Sequence, residues 1–116
     1  MGLIDRIDTI CLPVSDVKKA SAWYQETLGF QESFKADGYC VLHVGEKGIP
    51  LTLEKGDMQT NSNNPYPIFF SERIDQLYAL LAEKDVSLGE LQHDDVNRFF
   101  DFFDMDGNRL QVCCWK

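Results

Sequence analysis

The stretch Ile10-Cys11-Leu12-Pro13-Val14-Ser15-Asp16-Val17 reads as a strand handed directly to a helix. Ile10, Leu12 and Val14 alternate with Cys11 and Pro13, a period of two that buries one face of a strand. Ser15-Asp16 then supplies a side-chain oxygen for the orphaned N–H groups of a helix start. Val17, Ala20, Ala22, Trp23, Tyr24 and Leu28 follow at helical spacing. Gly29 stands where a left-handed residue best ends such a helix.

Downstream, Asp37-Gly38 and Glu46-Lys47-Gly48 break the chain into three strand-like runs, 30–35, 39–45 and 49–55. A polar segment, 56–65, contains Asn61, Asn63, Asn64 and Pro65 and reads as a linker. The order then repeats. Residues 66–71 form a short apolar run, and Ile74, Leu77, Tyr78, Leu80 and Leu81 define an amphipathic helix. Three more strands are predicted over 86–92, 97–103 and 109–115, with a tight turn at 104–108 before the last. A shift of 57 places Thr9 on Tyr66 and Val17 on Ile74. The prediction is a single α+β domain over 1–116, built from two βαβββ halves of about 1–57 and 64–116.

Bulk properties narrow the function. With 116 residues there is room for one domain, and 44% hydrophobic against 26% charged residues is a globular balance. Nineteen acidic against 11 scattered basic residues give a net charge of −8, which excludes a phosphate-reading surface, so no nucleic-acid partner is expected. No apolar run approaches the roughly 20 residues of a membrane span. Met1 to Asp8 shows no basic-then-apolar leader, so a cytoplasmic protein is expected. Cys11, Cys40, Cys113 and Cys114 lack the spacing of a zinc or thioredoxin-like motif and read as reduced, small apolar side chains.

Two segments carry a family resemblance. Leu12-Pro13-Val14-Ser15-Asp16, with Ala22-Trp23-Tyr24 and Leu28-Gly29-Phe30, resembles the opening of vicinal oxygen chelate proteins, the glyoxalase, bleomycin-resistance and extradiol dioxygenase superfamily. Phe102-Phe103-Asp104-Met105-Asp106-Gly107-Asn108-Arg109-Leu110 is similar to that family's closing turn and last strand, with Met105 in place of the usual proline. The resemblance implies two βαβββ units forming a cupped mixed sheet around a cavity, helices outside, and a homodimer. Metal-dependent members take one His or Glu ligand from the first and last strand of each half, and the ion chelates vicinal substrate oxygens. The matching positions here are Thr9, Thr52, Tyr66 and Gln111, with Glu54 two residues beyond Thr52 and on the same side. Hydroxyls and an amide bind such ions weakly. His43 and His93 fall outside the ligand positions. No metal or other cofactor is therefore expected.

Strand parity names the candidate cavity lining. If Ile10, Leu12, Leu42, Val44, Leu51, Leu53, Leu110 and Val112 pack under the helices, the opposite face gathers the remainder. From the first half these are Thr9, Cys11, Tyr39, Val41, His43, Thr52 and Glu54. From the second they are Tyr66, Ile68, Phe70, Gln111, Cys113 and Trp115. An apolar, aromatic lining with a few polar groups suits a small organic ligand. Tyr39, Tyr66 and Trp115 would stack on a planar molecule, Thr52 and Gln111 would hydrogen-bond it, and the acidic balance would favour a cation at long range. No catalytic set is legible, and Glu54 stands as the candidate general base. The expected function is metal-free small-molecule binding. The alternatives are a glyoxalase-like lyase or isomerase, of lactoylglutathione lyase type, in the same cavity, and a non-catalytic dimeric interaction or regulatory module. In that last reading the strand at 99–103 supplies a dimer edge.

Overall fold

The elements begin and end where local chemistry dictates. In the computed structural model, which describes residues 2–56 and 64–115, helix α1 (Val17–Leu28) starts at Asp16, whose carboxylate accepts the Lys19 N–H at 3.0 Å. It stops at Gly29, whose φ of 76° is the left-handed region that disfavours side chains. The chain divides into two compact units, Met1–Met58 and Gln59–Lys116. Most of the predicted linker, residues 57–63, lies outside the described residues.

The first unit places α1 on a four-stranded sheet of β1 (Ile10–Val14), β2 (Gln31–Ala36), β3 (Tyr39–His43) and β4 (Leu51–Lys55). The order is β1-β4-β3-β2, with β1 and β4 parallel and the other pairs antiparallel. Ala20, Ser21 and Tyr24 of α1 are buried, as are Leu12, Val14, Cys40, Leu42, Leu51 and Leu53 of the sheet. Tyr24 anchors this core, with Phe30 stacked 6.0 Å away and Trp23 edge-on at 5.0 Å. A polar link crosses between helix and sheet: Ser21 donates to the Glu32 carboxylate at 2.6 Å and accepts from the Gln25 amide at 2.9 Å. A bulge between Glu32 and Phe34 shifts the β2–β3 register. Val44 lies beyond the end of β3 and is only half-buried, so the strand is shorter than its apolar run.

The second unit has the same logic. Helix α2 (Ile74–Glu83) buries Ile74 and Leu81, and its sheet buries Phe100, Phe102, Leu110 and Val112. Strands β5 (Ile68–Phe70), β8 (Asn97–Phe103) and β9 (Arg109–Trp115) are joined by β6 (Ser87–Leu88) and β7 (Gln92–His93). The order is β5-β9-β8-β6, β7 also pairs with β8, and β5 runs parallel to β9.

The run at 86–92 is therefore not one strand but two short pieces on β8. Gly89 extends the contact with β8 by one residue beyond β6. Its N–H donates to the Asp101 carbonyl at 2.8 Å, and its own carbonyl accepts the Tyr78 hydroxyl at 2.9 Å. A Cβ at Gly89 would sit 3.4 Å from the Asp101 oxygen. The β8–β9 turn is built by Asp104, which is buried and accepts the backbone N–H groups of Asp106 and Asn108 and the Asn108 amide, each at 2.9 Å. That network closes the turn without the proline that Met105 replaces.

Candidate functional site

In each unit the sheet has a helix on one face, and the residues of interest alternate onto the other. In the first unit that face carries Thr9 and Cys11 at β1, Thr52 and Glu54 on β4, and Tyr39, Val41 and His43 on β3. The register makes neighbours of Cys11 and Thr52, Val41 and Thr52, and Tyr39 and Glu54. Thr9 and Thr52 share a hydroxyl–hydroxyl hydrogen bond of 2.7 Å, and Thr9 also donates to the Pro50 carbonyl at 3.0 Å. Thr52 is buried, whereas Cys11, Tyr39, His43 and Glu54 are exposed. The Cys11 thiol lies 3.9 Å from the Glu54 carboxylate. Burial first, and then the charge and hydrogen bond of Glu54, push that thiol above its ordinary pKa, so it is a poor nucleophile at neutral pH.

Phe34 joins this face because the bulge in β2 pairs it with Val41; its ring lies 5.9 Å from Tyr39. A shallow concavity of about 410 Å³ opens at one end of the face, lined by Gly29, Gln31, His43, Val44, Gly45 and Glu46. Of the expected lining it contains only His43. The remaining residues lie along the sheet rather than in that depression.

In the second unit the open face carries Gln111, Cys113 and Trp115 on β9, with Ile68 and Phe70 on β5 and Tyr66 just before it. Ile68 pairs with Gln111 and Phe70 with Cys113. Phe70 and Trp115 form a ring pair at 4.8 Å, and both are exposed, Trp115 to 71%. Two residues that parity reasoning passed over complete this face. Asp101 lies opposite Gln111 on β8 and accepts its amide N–H at 2.8 Å. The same carboxylate takes the Arg109 Nε–H at 3.1 Å and lies 3.0 Å from Nη2. The Arg109 guanidinium also sits 3.9 Å over the Tyr66 ring. The missed signal was the alternation of β8 itself, where Phe100 and Phe102 are core and Asp101 projects the other way.

A sequence profile of the Glyoxalase/Bleomycin resistance protein/Dioxygenase superfamily matches residues 6–112, nearly the whole chain. The chain belongs to this superfamily. No curated protein matches the sequence. Solved structures show the same fold at low identity. An antibiotic-binding protein, TnmS3 of Streptomyces sp. CB03234, is 21% identical, with a TM-score of 0.87 over 100% of both chains. A superfamily member from Sphaerobacter thermophilus is 22% identical, with a TM-score of 0.83 over 97% of this chain and 98% of its own. A lactoylglutathione lyase from Agrobacterium tumefaciens is 15% identical, with a TM-score of 0.78 over 97% and 96%.

The glyoxalase superfamily implies a divalent ion, and the residues at its four ligand positions do not fit one. Thr9 and Thr52 are bonded to each other. Gln111 turns its amide N–H toward Asp101, and Tyr66 lies beneath a guanidinium cation, which would repel a metal. Among the described residues no group of three or more His, Cys, Asp or Glu side chains could hold a metal ion. No helix among the described residues is long and apolar enough to cross a membrane.

Proposed function

We propose that this glyoxalase-superfamily chain binds a planar organic molecule without a resident metal ion. The observation that carries the reading is the Thr9–Thr52 hydrogen bond of 2.7 Å, which occupies two ligand positions with hydroxyls satisfied by each other. Each unit's open sheet face offers its own aromatic rings, Phe34 with Tyr39 in the first and Phe70 with Trp115 in the second. Exposed ring pairs are surfaces on which a flat ligand stacks. The fold shared with an antibiotic-binding protein supports the same reading.

Two experiments test it. Titration calorimetry with Zn²⁺, Ni²⁺, Mn²⁺ and Fe²⁺ should show no stoichiometric uptake. Micromolar or tighter binding at one ion per chain would return the protein to the chelate enzymes. Polycyclic aromatic probes should quench tryptophan fluorescence, and Trp115→Phe should remove most of the response; a flat titration overturns the stacking site.

A lyase or isomerase using Glu54 as base is the second reading, favoured by the exposed place of Glu54 beside Tyr39 and Cys11. Proton exchange α to a carbonyl, abolished in Glu54→Gln, would establish it. A homodimer is part of the binding reading and is tested by analytical ultracentrifugation.

A further inference from the structure

The polar cluster of the second unit has a directional property that names a ligand class. A guanidinium has two edges that can each grip a carboxylate: a side edge, Nε with Nη2, and an end edge, Nη1 with the second Nη2 hydrogen. Asp101 occupies the side edge of Arg109 through one oxygen, Oδ2, at 3.1 Å from Nε and 3.0 Å from Nη2. Its other oxygen, Oδ1, is held by the Gln111 amide at 2.8 Å. Tyr66 lies against one flat side of the guanidinium at 3.9 Å. Three of the positions that could blur the direction of this group are thereby fixed. The end edge points away from Asp101, on a side chain that remains 37% exposed.

Arg109 and Trp115 stand at the two ends of the row Arg109, Gln111, Cys113, Trp115 on one face of β9, about 20 Å apart along the backbone, so a ligand reaching from the cation to the Trp115–Phe70 rings is an extended polycycle. Gln111, having spent an N–H on Asp101, keeps its carbonyl oxygen as an acceptor between them. The charge of Arg109 is local: the chain as a whole carries −8, so this surface selects by short-range contact and not by long-range attraction.

We infer that Arg109, set by Asp101 and Tyr66, takes the two oxygens of an aromatic carboxylate whose ring system stacks toward Trp115. This rests on the aromatic-ligand reading above and reverses the cationic preference that overall charge suggests. The two N–H groups of a guanidinium edge match two carboxylate oxygens, which a lysine ammonium or a neutral amide does not reproduce. Arg109 is here a specificity residue, and Asp101 is its positioning residue.

The test compares aromatic carboxylates of three to five fused rings with their uncharged carboxamides on the unaltered protein, followed by tryptophan quenching and by the Trp115 indole N–H resonance. The carboxylates should bind at least about tenfold more tightly, equivalent to about 1.4 kcal/mol. Arg109→Gln should erase that preference, and Arg109→Lys, which keeps the charge but not the two-pronged edge, should reduce it. Equal binding of acids and amides overturns the oxyanion assignment and leaves the aromatic site standing. Binding of neither series overturns both. Because the acid–amide comparison needs no variant, it decides the question even if a substitution at Arg109 disturbs the sheet.

Discussion

The hydroxyls of Thr9 and Thr52 meet at 2.7 Å across the parallel pair β1–β4, but the two partners are not equivalent. Thr9 has a second acceptor in the Pro50 carbonyl, whereas the buried Thr52 hydroxyl has Thr9 as its partner among the described residues. Thr52→Val therefore leaves Thr9 satisfied and should cost about 1 kcal/mol or less. Thr9→Val strands a buried hydroxyl and should cost about 1–3 kcal/mol. Urea unfolding of the two variants reads the asymmetry, and equal midpoints would contradict it.

The Cys11 thiol should react slowly for an exposed cysteine. Burial raises its pKa first, and the neighbouring Glu54 carboxylate raises it further by charge and by hydrogen bond. Glu54→Gln removes the charge, so Cys11 alkylation by iodoacetamide at pH 8 should accelerate. Peptide mass spectrometry follows each cysteine separately. Cys40, buried at 0% exposure and also raised in pKa, serves as the unreactive internal standard.

One ion pair gives a pH dependence of known sign. The Arg98 guanidinium holds Asp75 through two hydrogen bonds and lowers its pKa below the ordinary 3.8, against a smaller opposing effect of desolvation. A depressed carboxylate pKa stabilises the fold above the unfolded value and loses that contribution as pH falls through the folded one. Stability should thus decline below about pH 4, and Arg98→Gln should flatten part of that decline. The pair is exposed, so the effect is small and should weaken further in 1 M salt. Thermal midpoints between pH 6 and pH 3 measure it; identical slopes in the two proteins would refute the assignment.

Asp104 is the more consequential carboxylate. It is buried and satisfies three N–H groups of the β8–β9 turn. Asp104→Ala leaves those donors without their acceptor and should destabilise the protein by about 2–4 kcal/mol. Met105→Pro should be tolerated far better, because the turn is already held by Asp104. Denaturant midpoints of the two variants should differ accordingly.

The parts of the fold legible in sequence are those where one residue's chemistry decides one event. Asp16 and Gly29 bound α1 by capping, and period-two alternation sorted Leu12, Val14, Leu51 and Leu53 from Cys11 and Glu54 without reference to any partner strand. What resisted reading depends on two chain segments at once. Within the split run 86–92, Gly89 bonds to Asp101 and Tyr78, contacts 12 and 11 residues away in sequence. The Asp101–Arg109–Gln111 network is likewise a property of the β8–β9 register, which fixes Asp101 opposite Gln111. Phe34 reached the open face only through the bulge, which breaks the parity on which the lining was assigned.

That bulge also shapes how the protein behaves beside copies of itself. β2 is an edge strand of its sheet, exposed along nearly its whole length, and so offers its outer backbone groups to any passing chain. The register shift around Ser33, together with the charges of Glu32 and Lys35, gives that edge an irregular spacing. Such an outline is a poor template for strand addition. Deleting Ser33 would remove that irregularity and leave a straighter edge for strand addition.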